Sequence, residues 1–119
     1  MRRVLIAQAA YYLITGIWPL VRINTFEVVT GPKSDDWLVQ TVGVLAAAMG
    51  ATLLVGSRRQ PPNRETLTLA LLSIASFAAV DTVFVLNGTI SRIYLVDAAL
   101  QALFLAGYLV AALWQRARR

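Results

Sequence analysis

Four long stretches of this sequence carry at most one charge each, and no other feature constrains the fold as strongly. Residues 4–21 and 37–56 carry no charge at all. Residues 66–86 carry only Asp81, and residues 93–114 carry only Asp97. A helix of roughly 20 apolar residues crosses a hydrocarbon core about 30 Å thick, and each stretch is close to that length. Each therefore predicts a membrane span, leaving an outer loop at 22–36, a cytoplasmic loop at 57–65 and an outer turn at 87–92. The expected fold is all-α: a single transmembrane domain over 1–119 that forms an integral membrane four-helix bundle, antiparallel up-down-up-down, with both termini cytoplasmic.

Composition agrees with this reading. The chain is 58% hydrophobic and only 14% charged, whereas a soluble domain carries about 25% charged residues. Orientation follows from the basic residues. Arg2, Arg3, Arg58, Arg59, Arg64, Arg116, Arg118 and Arg119 fall on the side shared by the termini and the second connection, against Arg22, Lys33 and Arg92 on the other. Eight against three is a positive-inside bias. It predicts that both termini are cytoplasmic. It also accounts for the net charge of +5 without nucleic acid as a partner.

The chain has no histidine and no cysteine. That removes the ligands of haem, iron–sulfur and zinc sites, the commonest general base and the thiol nucleophile. No catalytic residue and no metal site is expected, and no cofactor is required. Contact with lipid, a quinone or a pigment through aromatic and aliphatic groups stays open. Arg2-Arg3 before an apolar run has the look of a signal peptide, but no small-x-small cleavage site follows Val21, so the run is expected to persist as a span.

Helix punctuation supports the boundaries. Ser34-Asp35-Asp36 predicts an N-cap and a negative first turn for span two, and Asn63 a cap for span three after Pro61-Pro62. Asn87-Gly88 reads as a stop, and Ser91 as a cap for span four with Ile90 and Leu95 as a hydrophobic staple. Trp18, Trp37, Tyr94 and Trp114 fall near the predicted interfaces, where amphipathic rings collect.

The two intramembrane acids are the informative residues. Asp81 lies five residues before the end of span three and Asp97 four after the start of span four. At 1.5 Å per residue, both sit about 6–7.5 Å below the outer surface, on helices that a short turn makes neighbours. Ionisable side chains at such depth usually face the bundle interior. Helical spacing draws polar stripes on three spans: Gln8, Tyr12, Thr15 and Pro19; Ser73, Phe77, Asp81 and Phe84; and Tyr94, Asp97, Gln101, Phe104 or Leu105, and Tyr108. Span two offers Thr41, Gly43, Ala47, Gly50 and Ala51, and its small residues allow close helix approach.

Two readings of the acids follow. In one, Asp81, Asp97, Gln101, Tyr94, Glu27 and Arg92 form an outward-facing ligand or proton site, in which nearby carboxyls titrate as a coupled pair. In the other, Asp81 pairs with Arg92 while Asp97 caps a helix or bonds Tyr and Gln, and both merely fix the register of the bundle.

Length and span count resemble the small multidrug resistance transporters, but the key glutamate of those proteins lies in span one, where this chain has no acid. A more local resemblance runs through Tyr11-Tyr12, Thr15-Gly16, the stretch Phe26-Glu27-Val28-Val29-Thr30-Gly31-Pro32-Lys33, Asp36-Trp37-Leu38-Val39, and Asp81 with Tyr94 and Asp97-Ala98. These are similar to small bacterial four-span membrane proteins of the broad DoxX-like type. That resemblance covers most of the chain and implies a four-helix membrane bundle, with little about activity. The 26–33 stretch is expected to fold as an ordered outer cap.

Size, the missing His and Cys, and wide apolar faces favour a non-catalytic accessory or assembly subunit of a larger membrane complex. Its partners would be the bilayer and other membrane subunits or a second copy. The alternative is a stand-alone ligand-binding or proton-coupled protein using Asp81 and Asp97. A third reading, a lipid-modifying enzyme with the carboxyls as acid and base, rests on their spacing alone.

Overall fold

The computed structural model describes residues 1–30 and 36–117. Among these the chain is all-helical, with five helices and no strand: α1 (Arg2–Val21), α2 (Ile23–Thr30), α3 (Asp36–Gly56), α4 (Arg64–Leu86) and α5 (Tyr94–Ala117). Four of them, all but α2, are long and apolar enough to cross a membrane. The Ser34-Asp35 portion of the expected cap of α3 and residues 31–33 of the expected outer cap lie outside the described residues.

Local chemistry sets the helix ends. Pro61 and Pro62 interrupt the chain before α4, and the Asn63 side chain accepts a hydrogen bond from the Thr66 N–H at 2.9 Å, serving one of the free donors of the first turn. At the other end Asn87 closes α4, and Gly88 takes a left-handed φ of 81°, which glycine adopts without steric cost. The turn returns its Thr89 and Ile90 N–H groups to the Phe84 carbonyl. Ser91 Oγ accepts from the Ile93 N–H at 3.4 Å just before α5 begins.

The 22–36 segment, expected as a loop, contains the eight-residue α2. So short a helix is marginal alone, and tertiary contacts hold this one. Trp18 Nε1 donates to Thr25 Oγ1 at 3.0 Å, and the Trp18 and Phe26 rings meet edge to face with centroids 5.3 Å apart. Thr25 also donates to the Arg22 carbonyl.

Helix packing depends on the small residues. Gly16 of α1 faces Gly43 of α3, and a Cβ on either would fall 2.5 Å from the other's carbonyl oxygen. Gly50 meets the Ala9 carbonyl and Leu13 in the same way. These contacts bring the α1 and α3 backbones together and turn Gln8 and Tyr12 away from α3, towards α4 and α5. The latter two pack on each other beyond the 87–93 turn. Leu5, Ala9, Tyr12, Leu53, Ala70, Ile74 and Tyr108 form the apolar core.

Beside the apolar core, polar side chains are buried and much of the surface is apolar. The residues α5 buries are Gln101 and Tyr108, while Leu103, Leu109, Val110 and Leu113 of the same helix are exposed. Gln8, Ser73 and Asp81 are likewise buried among exposed leucines and valines. An apolar surface this extensive would be a liability in water; in a bilayer it is the solvated surface. The arrangement suggests a membrane protein.

Candidate functional site

Polar residues of the α1 and α5 stripes converge on one buried network; on the α4 stripe Asp81 adjoins it, Ser73 is buried without a hydrogen bond among the described residues, and Phe84 is exposed. Gln8 is fully buried, and its amide reaches three elements. Its Nε2 donates to the Ala70 carbonyl of α4 and to Tyr12 Oη, each at 3.1 Å, and its Oε1 accepts from the Tyr108 hydroxyl of α5. Tyr12 Oη donates in turn to Gln101 Oε1 at 2.8 Å, and Gln101 Nε2 donates to Asp97 Oδ1 at 3.3 Å. Tyr11 donates its hydroxyl to the same Asp97 oxygen at 2.5 Å. Inside a low-dielectric bundle an unserved polar group is costly, so the amides and phenols of this network tie α1, α4 and α5 into one rotational setting.

Asp81 completes the cluster. It is 4% exposed, and its carboxyl neighbours that of Asp97. Two carboxyl groups can join by a hydrogen bond only when one of them carries a proton, because an ionised carboxyl has no donor. Asp81 Oδ2 is buried and receives no hydrogen bond from an N–H or hydroxyl of the described residues. Aromatic rings pack on the tyrosines of the network. Phe77 meets Tyr12 edge-on with centroids 5.2 Å apart, and Phe104 lies 5.7 Å from Tyr11.

Of the residues singled out in the sequence, Asp81, Asp97 and Gln101 are brought together. Tyr94 opens α5, half-buried, one turn before Asp97, and Glu27 is half-buried on α2. Arg92 is exposed in the turn before α5, and no ion pair joins it to Asp81 among the described residues. Asp97 bonds Tyr and Gln as the register-fixing reading expects, whereas Asp81 turns to Asp97 and not to Arg92.

Four participants, Gln8, Tyr11, Tyr12 and Tyr108, were not among the candidate site residues. Gln8 and Tyr12, four apart on the α1 stripe, carried a signal, as did Tyr108, which continues the line of Asp97 and Gln101. Tyr11 lies off the α1 stripe, and only the adjacent Tyr11-Tyr12 doublet pointed to it.

No group of three or more acidic side chains that could hold a metal ion occurs among the described residues. A groove of about 370 Å³ lies between α3 and α4, lined by Leu45, Met49, Leu72, Ser73 and Phe77 among others. Phe77 lines this groove and also packs on Tyr12. Compared with known protein families, curated proteins and solved structures, the chain matches none.

Proposed function

We propose that this protein is a small multi-pass membrane protein that binds and exchanges a proton at the Asp81–Asp97 pair. The single observation that carries the reading is the apposition of two carboxyls, one of them almost fully buried, in a bundle whose outer surface is apolar. Two neighbouring carboxyls in a low-dielectric site can hold a proton between them and titrate as a pair. Ionisable residues at membrane depth commonly mark proton relays and ion pathways.

In this reading the four long helices run antiparallel, up-down-up-down. The pairing of Gly16 with Gly43 and of Gly50 with Ala9 supports opposite directions for α1 and α3. The bonds of Tyr11 to Asp97 and Gln8 to Tyr108 support the same for α1 and α5. The Arg-rich ends face the cytoplasm of a bacterial inner membrane, as the eight-to-three charge bias and the resemblance to DoxX-like four-span proteins favour.

Acid–base titration of the purified protein beside the Asp81→Asn/Asp97→Asn double variant tests the reading. The wild-type protein releases one proton per chain above the acid range in which exposed carboxyls titrate, and the double variant lacks that step. Identical curves above the acid range would contradict it.

A second reading, an accessory or assembly subunit, is favoured by one observation. The outward face of α5, with Leu103, Leu109, Val110, Leu113 and Trp114, is exposed and wide enough to meet another membrane helix as well as lipid. Gentle solubilisation from the native membrane would then recover stoichiometric partner subunits, and recovery of a lone monomer or small homo-oligomer would count against it.

A further inference from the structure

The hydrogen-bond chain behind the carboxyl pair has a direction, and one backbone group fixes it. The Ala70 carbonyl can only accept, so the nitrogen of the Gln8 amide must face it. Gln8 Oε1 is then turned towards Tyr108, whose hydroxyl donates to it. Because Gln8 Nε2 also donates to Tyr12 Oη, the single Tyr12 proton is directed to Gln101 Oε1. That sets the Gln101 nitrogen against Asp97. Every link runs the same way, and the chain ends by presenting an N–H to Asp97 Oδ1, where Tyr11 adds an O–H.

The two carboxyls are therefore unequal. Asp97 receives two donors, and it lies in the first turn of α5, where the helix dipole favours an anion. Asp81 lies more than one turn before the end of α4, outside the turn where a helix dipole acts, and its Oδ2 receives no N–H or hydroxyl among the described residues. Among the described residues Tyr11 and Tyr12 of α1 act on both carboxyls, and the bonds above have both donating, Tyr11 to Asp97 and Tyr12 to Gln101. A carboxylate needs donors around it, whereas a carboxylic acid brings its own.

We propose that the proton of the pair resides on Asp81, with Asp97 as the anion that accepts its hydrogen bond, and that Gln8, Gln101 and Tyr11 are positioning residues that hold this assignment. The proposal rests on the reading of the pair as a proton site and adds which carboxyl is loaded and what decides it. Asp81→Asn then mimics the loaded state, since its amide N–H donates to Asp97 as the acid does.

The test is infrared spectroscopy of the protein carrying ¹³C-labelled aspartate, in nanodiscs of phosphatidylcholine and phosphatidylglycerol at neutral pH. The wild-type protein shows the C=O band of a protonated carboxyl, Asp97→Asn keeps it, and Asp81→Asn loses it. Loss in Asp97→Asn alone, loss in both variants, or retention in both would overturn the assignment. Absence of the band from the wild-type protein would instead overturn the underlying proton-site reading. Should a variant fail to fold, ¹³C resonances of the wild-type carboxyls decide the same question, with Asp81 in the protonated position and Asp97 in the ionised one; the reverse order overturns it. Gln101→Leu removes one donor from Asp97 and narrows the separation of those two resonances, and an unchanged separation would show that Gln101 only fills space.

Discussion

Gln8 of α1 and Ala70 of α4 meet through a side-chain amide and a backbone carbonyl 3.1 Å apart, across 62 positions of sequence. The same amide serves Tyr12 and Tyr108, so one residue joins three helices. Replacing it by leucine, of similar volume, leaves the Ala70 carbonyl and the Tyr108 hydroxyl buried without that partner. Gln8→Leu should destabilise the bundle by about 1–3 kcal/mol, measurable as a shift in denaturant-induced unfolding in mixed micelles. A variant as stable as wild type would mean the network is not what holds the rotational setting of α1.

The α1–α3 seam gives an independent prediction. A methyl group on Gly43 would fall 2.5 Å from the Gly16 carbonyl oxygen, so the two backbones must separate. Gly43→Ala should cost about 1–3 kcal/mol, the usual range for overpacking. Ala51→Leu, on the exposed face of the same helix, should stay within about 0.5 kcal/mol of wild type. Equal effects from the two would contradict the packing described.

Tyr11 and Arg92 separate the two accounts of the acids. If Asp97 is held by the Tyr11 hydroxyl, Tyr11→Phe removes a hydrogen bond to a charged group and costs about 1.5–3 kcal/mol. Arg92 is exposed, and Arg92→Gln should change stability by no more than about 0.5 kcal/mol. A large loss in Arg92→Gln with none in Tyr11→Phe would favour an Asp81–Arg92 ion pair instead.

The four long helices were legible because an uncharged apolar run of about 20 residues has few other folded uses. The inward stripes of Gln8 and Tyr12 and of Asp97, Gln101 and Tyr108 were legible from spacings of three and four. Which stripe meets which was not. That depends on helix rotation, set by contacts such as Gly16 with Gly43 that no local pattern reveals. Tyr11 shows the gap most clearly. One residue is about 100° of helix turn, so Tyr11 and Tyr12 point to neighbouring partners, one to Asp97 and the other to Gln101 and Phe77. The helix α2 was hidden for another reason. Its eight residues carry too little propensity to stand alone, and the Trp18 contacts that hold it come from the preceding helix.

Orientation can be read directly, since the chain has no cysteine to interfere. Thr89→Cys should react with a membrane-impermeant thiol reagent applied to intact cells, and Arg59→Cys should react only after the cells are opened. The opposite pattern would reverse the sidedness inferred from the basic residues.

The most direct measurement of the central claim is the protonated-carboxyl infrared band of wild-type protein at neutral pH in a bilayer, compared with the Asp81→Asn/Asp97→Asn double variant. The shared-proton account predicts one such band per chain in the wild type and none in the double variant. Two fully ionised aspartates in the wild type, with no acid band at neutral pH, would contradict it.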